Sequence, residues 1–377
     1  MNNYRRFNLA FLGITVPGLL TVGLFNAGID PYGVMNSPEI LGLNRLKTQK
    51  FNHVRLFKAI AVTRVEPKTL LLGSSRSDLG LDPNHPALNA ESAYNLALVG
   101  PNMYEVKRYF DHAIANQPEV KTVILGLDFF MFNQFKNNQA DFSETRLEKE
   151  TLMPKEFLNV TFSLGATRSS LETIQSSLNA DANFLYQPNG LRYVYENEPE
   201  RPITEEFANM MGGFMEREGY YKEYELSQEF LGALRDLVEI AKSRDIELKL
   251  FISPAHAAQW ETLRLAGLWP EFEQWKREVV KIAPVWDFSG YNSITTESID
   301  REMNYYWDSS HYRESVGDLI INRLFDYQTE KVPSDFGVVI DAESVESHLQ
   351  NIRRDREAWV THHPEVVRWV KELKPTP

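Results

Sequence analysis

The chain has 377 residues, 43% hydrophobic and 12% aromatic, which is enough apolar material for a large buried core and too much for a disordered polypeptide. Its formal net charge of −12, with no basic block beyond Arg5-Arg6 and Arg353-Arg354, argues against a nucleic-acid partner, because phosphates demand a Lys/Arg-rich face. Cysteine is absent, so disulfides, thiolate nucleophiles and cysteine-ligated metals are excluded.

After Arg5-Arg6 the sequence runs uncharged from Phe7 to Ile29. About 20 apolar residues are needed to cross a hydrocarbon core as a helix, and this run has that length although Asn8, Pro17 and Asn26 interrupt it. The arginines before it and Asp30 after it predict an uncleaved anchor over residues 1–30, with the N-terminus in the cytoplasm. A cleaved signal peptide is the main rival, but no small-x-small cleavage site follows the run. A buried core helix is the other alternative. Residues 31–56 contain the turn formers Asp30-Pro31-Tyr32-Gly33 and Asn36-Ser37-Pro38 and are expected to form an extended linker.

An α/β domain is expected over residues 57–330. Thr69-Leu70-Leu71-Leu72-Gly73 is a short apolar run of the kind buried on both faces of a parallel sheet. Helical periodicity over 105–116 leads to a second predicted strand, 121–128. The pattern repeats with a helix over 225–244, a strand over 247–252, a helix over 270–282 and a strand over 285–288. Strands alternating with helices imply right-handed crossovers and a mainly parallel sheet. Residues 137–223 break this rhythm with Pro154, Pro188, Pro202 and Gly212, Gly213 and Gly219. They are expected to form a mostly helical insertion that either borders the substrate cleft or is inert decoration. Residues 331–377 are expected to be a C-terminal helical extension, with an amphipathic pattern from Glu343 to Lys374.

Two segments carry chemistry. The first is Gly73-Ser74-Ser75-Arg76-Ser77, directly after the first predicted strand. Ligands of parallel α/β sheets bind beyond the carboxyl ends of the strands. A serine there has an exposed Oγ and a backbone N–H aimed at a developing oxyanion. The same residues also suit a helix N-cap or a phosphate-binding turn. The second segment is Trp307-Asp308-Ser309-Ser310-His311-Tyr312. A serine hydroxyl needs a base, usually histidine, and the histidine needs an acceptor that holds its tautomer. Taken alone, these residues also suit a capping aspartate and a surface histidine.

Together, strand–Gly-x-Ser–helix near the domain start and Asp-x-x-His near its end resemble the SGNH (GDSL-like) hydrolase and acyltransferase superfamily. The Gly-Ser-Ser form looks closest to its membrane-anchored branch, which serves alginate O-acetylation and teichoic-acid D-alanylation. The resemblance spans about 70–325 in layout, although only short motifs carry it. It implies a flavodoxin-like three-layer α/β/α fold, with Ser75 as nucleophile, His311 as general base and acid, and Asp308 as its orienter. It also implies that the backbone N–H of Gly100, in Tyr94-Asn95-Leu96-Ala97-Leu98-Val99-Gly100, serves as an oxyanion donor.

The family's third block normally reads Gly-x-Asn, whereas this chain has Gly126-Leu127-Asp128. An ionised aspartate accepts hydrogen bonds and repels an oxyanion, so Asp128 is expected to serve elsewhere or to orient Arg76 or Asn95. Arg76 is read either as a substrate clamp or as the partner of Asp128 in a buried ion pair. His256, in Ser253-Pro254-Ala255-His256, follows a strand and suits a supporting or substrate role, or a plain loop position. His85 lies in a turn. Tyr305, Tyr306, Trp307 and Tyr312 suit sugar stacking or core packing. No metal-ligand spacing occurs, and no cofactor or metal is expected.

The expected activity is acyl-ester chemistry through an acyl-serine, as O-acetyl transfer to or removal from an extracytoplasmic polysaccharide. The expected location is a single pass through the inner (cytoplasmic) membrane with the domain in the periplasm, and a membrane-bound O-acyltransferase is implied as a partner. The alternative is a catalytically degenerate carbohydrate-binding or accessory protein.

Overall fold

The computed structural model describes residues 2–88, 92–148, 152–194 and 202–373. In chain order its first elements are α1 (Asn2–Ile29), α2 (Gln49–Asn52), α3 (Val54–Val62), β1 (Thr69–Leu72), α4 (Ser75–Gly80), β2 (Ala93–Asn95), α5 (Met103–Asn116) and β3 (Thr122–Leu127). There follow α6 (Pro154–Phe162), α7 (Leu164–Asn179), β4 (Phe184–Tyr186), β5 (Arg192–Val194), α8 (Ile203–Glu216), α9 (Gln228–Ser243) and β6 (Glu247–Ile252). The last are α10 (Ala257–Leu265), α11 (Trp269–Ile282), β7 (Val285–Asp287), α12 (Glu314–Leu324), β8 (Val338–Ile340), α13 (Val345–His362) and α14 (Pro364–Glu372).

The chain divides into two compact units. The first joins Met1–Arg64 with Ser143–Gln187 and Arg192–Pro199. In it, α1 is long and apolar enough to cross a membrane, and little of its apolar stretch is buried. The helix stops at Asp30, whose backbone turns left-handed while its carboxylate accepts the N–H groups of Val34 at 2.8 Å and Met35 at 3.0 Å. Lys47 pairs with the same carboxylate at 3.0 Å. Residues 31–56 are therefore no extended linker, because Asp30 and Asn44 gather their backbone into hydrogen-bonded turns that lead into α2 and α3. The expected insertion over 137–223 contains the antiparallel pair β4–β5 besides its helices and divides between the two units.

The second unit holds a six-stranded sheet in the order β2-β1-β3-β6-β7-β8. The first five strands are parallel, and β8 runs antiparallel to β7. All four residues of β1 are buried, as expected for a strand covered on both faces. Strand β8 was not anticipated, since the extension was expected to be helical. Its only apolar cue is a three-residue run, and edge pairing with β7 decides its state. The amphipathic stretch beyond it forms α13 and α14, and its final residue, Lys374, lies outside the described residues.

Strand order reverses between β1 and β3, which creates a switch point where a crevice opens beyond the strand carboxyl ends. Two glycines draw α4 and α12 together there. Gly80 lies against the Tyr312 ring and Gly317 against the Gly80 carbonyl, so a Cβ at either position would overlap its neighbour. That contact brings the loop before α12 to the turn after β1.

Candidate active site

The chain turns sharply at Gly73, whose φ of +142° disfavours a side chain. A Cβ there would also press on Ser77 and on the Gly126 carbonyl. Ser74 then caps α4, its Oγ accepting the Arg76 N–H at 3.2 Å and donating to the Asp128 carboxylate. The capping role therefore falls to Ser74 and leaves Ser75 as the first residue of the helix. Ser74, Arg76 and Ser77 are buried, whereas Ser75 is partly exposed.

The Ser75 hydroxyl lies 2.8 Å from His311 Nε2. His311 Nδ1 lies 2.7 Å from Asp308 Oδ2. Asp308 also shapes its own loop, because Oδ1 accepts the backbone N–H groups of Ser310 at 2.7 Å and His311 at 2.8 Å. With Asp308 ionised, the network assigns the ring proton to Nδ1 and leaves Nε2 to accept from Ser75. Burial by itself would raise the Asp308 pKa, but the His311 ring beside it and the three N–H donors outweigh it and hold the carboxyl below its ordinary value.

Arg76 joins the two segments. Its Nε donates to Ser310 Oγ at 3.0 Å, and a terminal nitrogen donates to Asp128 Oδ1 at 2.6 Å, both ion-pair partners being buried. Burial works against the guanidinium charge, and Asp128 more than offsets it. The Phe130 and Phe214 rings lie 5.9 and 6.0 Å from the guanidinium. Asp128 is thus neutralised by Arg76 and Ser74, and it braces the turn that presents Ser75.

Most of the other expected residues are held by partners of their own. Asn95 is no substrate or oxyanion donor, since both its amide hydrogens go to the carbonyls of Ser77 at 2.8 Å and Leu81 at 3.0 Å. Both ring nitrogens of His256 are likewise committed to backbone partners. Its Nδ1 accepts the Ala258 N–H at 3.1 Å, capping α10, and its Nε2 donates to the Glu297 carbonyl at 2.7 Å. Burial lowers its pKa to about 4. Gly100 adopts a φ of +56° and sits so close to the Tyr220 hydroxyl that a Cβ would come within 2.8 Å of it. His85 accepts the Ala87 N–H at 3.1 Å and stabilises its turn. Tyr306 and Tyr312 are fully buried and belong to the core, so sugar stacking does not fall to them.

Sequence reasoning offered His256 for a supporting role near the site but missed Gln259 as a support of the 308–311 loop. Gln259 Oε1 accepts the Ser309 hydroxyl at 2.7 Å, and the His256 N–H donates to the Ser309 carbonyl at 3.0 Å. Gln259 lies in the first turn of α10 with no local signal of such a role, whereas Ser309 and Ser310 stood in plain view between Asp308 and His311. Among the described residues no group of three or more His, Asp and Glu side chains converges as a metal site. No protein-family model matches the chain, and no curated protein matches it.

Proposed function

We propose that this protein is a serine-dependent acyl-ester enzyme of the SGNH class, held at the membrane by α1. The observation that carries the reading is the Ser75–His311–Asp308 relay, with links of 2.8 and 2.7 Å. The strand order supports it as well. Counting parallel strands alone, it runs 2-1-3-4-5, the flavodoxin-like order, with the relay beyond the carboxyl end of β1.

In this mechanism Ser75 Oγ attacks the carbonyl carbon of an ester while His311 Nε2 takes the hydroxyl proton. The tetrahedral oxyanion is met by the backbone N–H groups of Ser75 and Gly100. The Asp128 charge is offset by Ser74 and Arg76. Collapse expels the alcohol, which receives the proton from His311, and leaves an acyl-Ser75. Water or a sugar hydroxyl, deprotonated by His311, then attacks the acyl carbon and releases Ser75. Water gives net de-esterification and a sugar gives O-acyl transfer.

A membrane helix favours an immobile, surface-associated substrate. We therefore read the acceptor or substrate as an extracytoplasmic polysaccharide carrying O-acetyl groups, and a membrane-bound O-acyltransferase as the source of acyl groups in the transfer case. Arg5-Arg6 in the first turns of α1 and Asp30 after it support a single pass through the cytoplasmic membrane with the α/β unit in the periplasm.

Treatment of the full-length protein with a fluorophosphonate tests the reading. Peptide mass spectrometry is expected to find one adduct, on Ser75, and Ser75→Ala is expected to reduce labelling and ester turnover by about 10⁴-fold or more. A folded wild-type protein that stays unlabelled, or equal labelling of the variant, would instead favour a degenerate carbohydrate-binding protein. The carboxylate standing in the third block is the feature that points that way.

A further inference from the structure

Within the first unit, α1 changes character along its length. Phe7, Leu9, Ile14 and Leu20 are exposed and find no cover in the fold. From Gly23 onward the helix is docked. Gly23 lies against the Phe162 ring so closely that a Cβ would overlap it. Asn26 is buried, its amide donating to the Thr161 carbonyl at 2.8 Å and Thr167 Oγ1 at 3.1 Å, while its carbonyl accepts the Ser170 hydroxyl at 2.9 Å. The uncharged stretch from Phe7 to Gly23 rises about 26 Å as a helix, close to the thickness of a hydrocarbon core. The junction of α6 and α7 therefore sits where a spanning α1 leaves that core.

The outside of this junction is apolar. Phe157 and Leu158 on α6 are exposed, and Leu164, the first residue of α7, is 90% exposed. The Phe157 ring packs edge-on against Phe162 at 6.3 Å, making the patch continuous with the α1 docking point. Lys155 and Arg168 stand exposed beside it, Arg168 sharing its charge with Glu172 at 2.8 Å. Apolar side chains bordered by cations are what a helix lying in a bilayer interface requires.

We propose that α6 and the first turn of α7 form a second membrane contact, with Phe157, Leu158 and Leu164 in the boundary between headgroups and acyl chains. Lys155 and Arg168 face anionic lipid phosphates. This rests on the reading of α1 as a membrane span, and the test separates the two. The chain lacks cysteine, so single labels can be placed without background.

Full-length protein would be reconstituted into phosphatidylethanolamine–phosphatidylglycerol vesicles with a fluorophore at Leu12→Cys, Leu158→Cys, Leu164→Cys or the exposed control Glu229→Cys. The lipids would carry a nitroxide either shallow or deep in the acyl chain. Leu12→Cys is expected to be quenched best by the deep nitroxide. Leu158→Cys and Leu164→Cys are expected to lose roughly half or more of their signal to the shallow one, and Glu229→Cys to respond to neither. Deep quenching at Leu12→Cys with Leu158→Cys and Leu164→Cys as unresponsive as the control overturns the second contact and marks the patch as a protein-docking face. Absence of quenching at Leu12→Cys overturns the span itself.

Discussion

His311 and His256 lie in two loops of the same unit, and a hydrogen bond from the His256 N–H to the Ser309 carbonyl ties those loops together. Both rings have a partner on each nitrogen. His311 stands between a carboxylate and a serine hydroxyl, partly exposed to solvent. His256 stands between a backbone carbonyl and a backbone N–H, fully buried, with Phe207 and Tyr306 edge-on to it at 5.0 and 5.3 Å. The first environment sets a carboxylate against Nδ1 and a serine hydroxyl against Nε2, the arrangement that the proposed proton transfer requires. The second stabilises only the neutral ring, which therefore serves as a helix cap. A histidine's role thus follows from its partners more than from its position beside a sheet edge.

Substitution provides the sharpest way to break this contrast. His311→Ala is expected to lower kcat/KM on an activated acetate ester by about 10⁴-fold or more while changing stability by about 1 kcal/mol or less. His256→Ala is expected to do the reverse, costing about 1–2 kcal/mol through a lost cap and an unpaired buried carbonyl, with kcat/KM within roughly tenfold of wild type. Equal losses of activity at unchanged stability would erase the distinction. Urea denaturation and ester turnover on the same preparations decide it.

The brace between the loops gives the next largest effect. Arg76→Met leaves the Asp128 carboxylate buried without its cation and is expected to cost about 3–5 kcal/mol. Adding Asp128→Leu to that variant is expected to restore much of the loss. A double variant no more stable than the single one would mean that Asp128 contributes through Ser74 alone.

The smallest effect is a pH dependence. The His256 pKa falls from an ordinary 6.5 to about 4 on burial, so between those values the unfolded chain binds the extra proton. Stability is therefore full above pH 6.5 and declines as the pH falls toward 4, by up to about 3.4 kcal/mol. His256→Asn keeps a capping oxygen and removes the titration, so its urea midpoint should vary less across that window. Asp308, with its pKa held low, contributes in a separate range, since its share is present above about pH 4 and is lost only below that.

Much of this protein was legible locally. Strands β1, β3, β6 and β7 stood out as short apolar runs, and α5, α9 and α11 stood out by their period, because alternation and helical spacing record burial one element at a time. The turn at Gly73 and the Asp308 turn before His311 were legible for the same reason, each being built from neighbours in sequence. The tertiary structure alone decided what lay between such segments. Ser75 and His311 are 236 residues apart, and Arg76 meets Asp128 across 52, so no local pattern states that these groups touch. The same holds for the carboxylate in the third block. Its sequence position suggested a conflict with an oxyanion, and in the fold the charge has a buried guanidinium and a serine hydroxyl as partners. Asn95, His256 and β8 took their roles from backbone groups that only the folded chain brings within reach. Sequence period records which side of an element is buried, and hydrogen-bond partners are settled by packing.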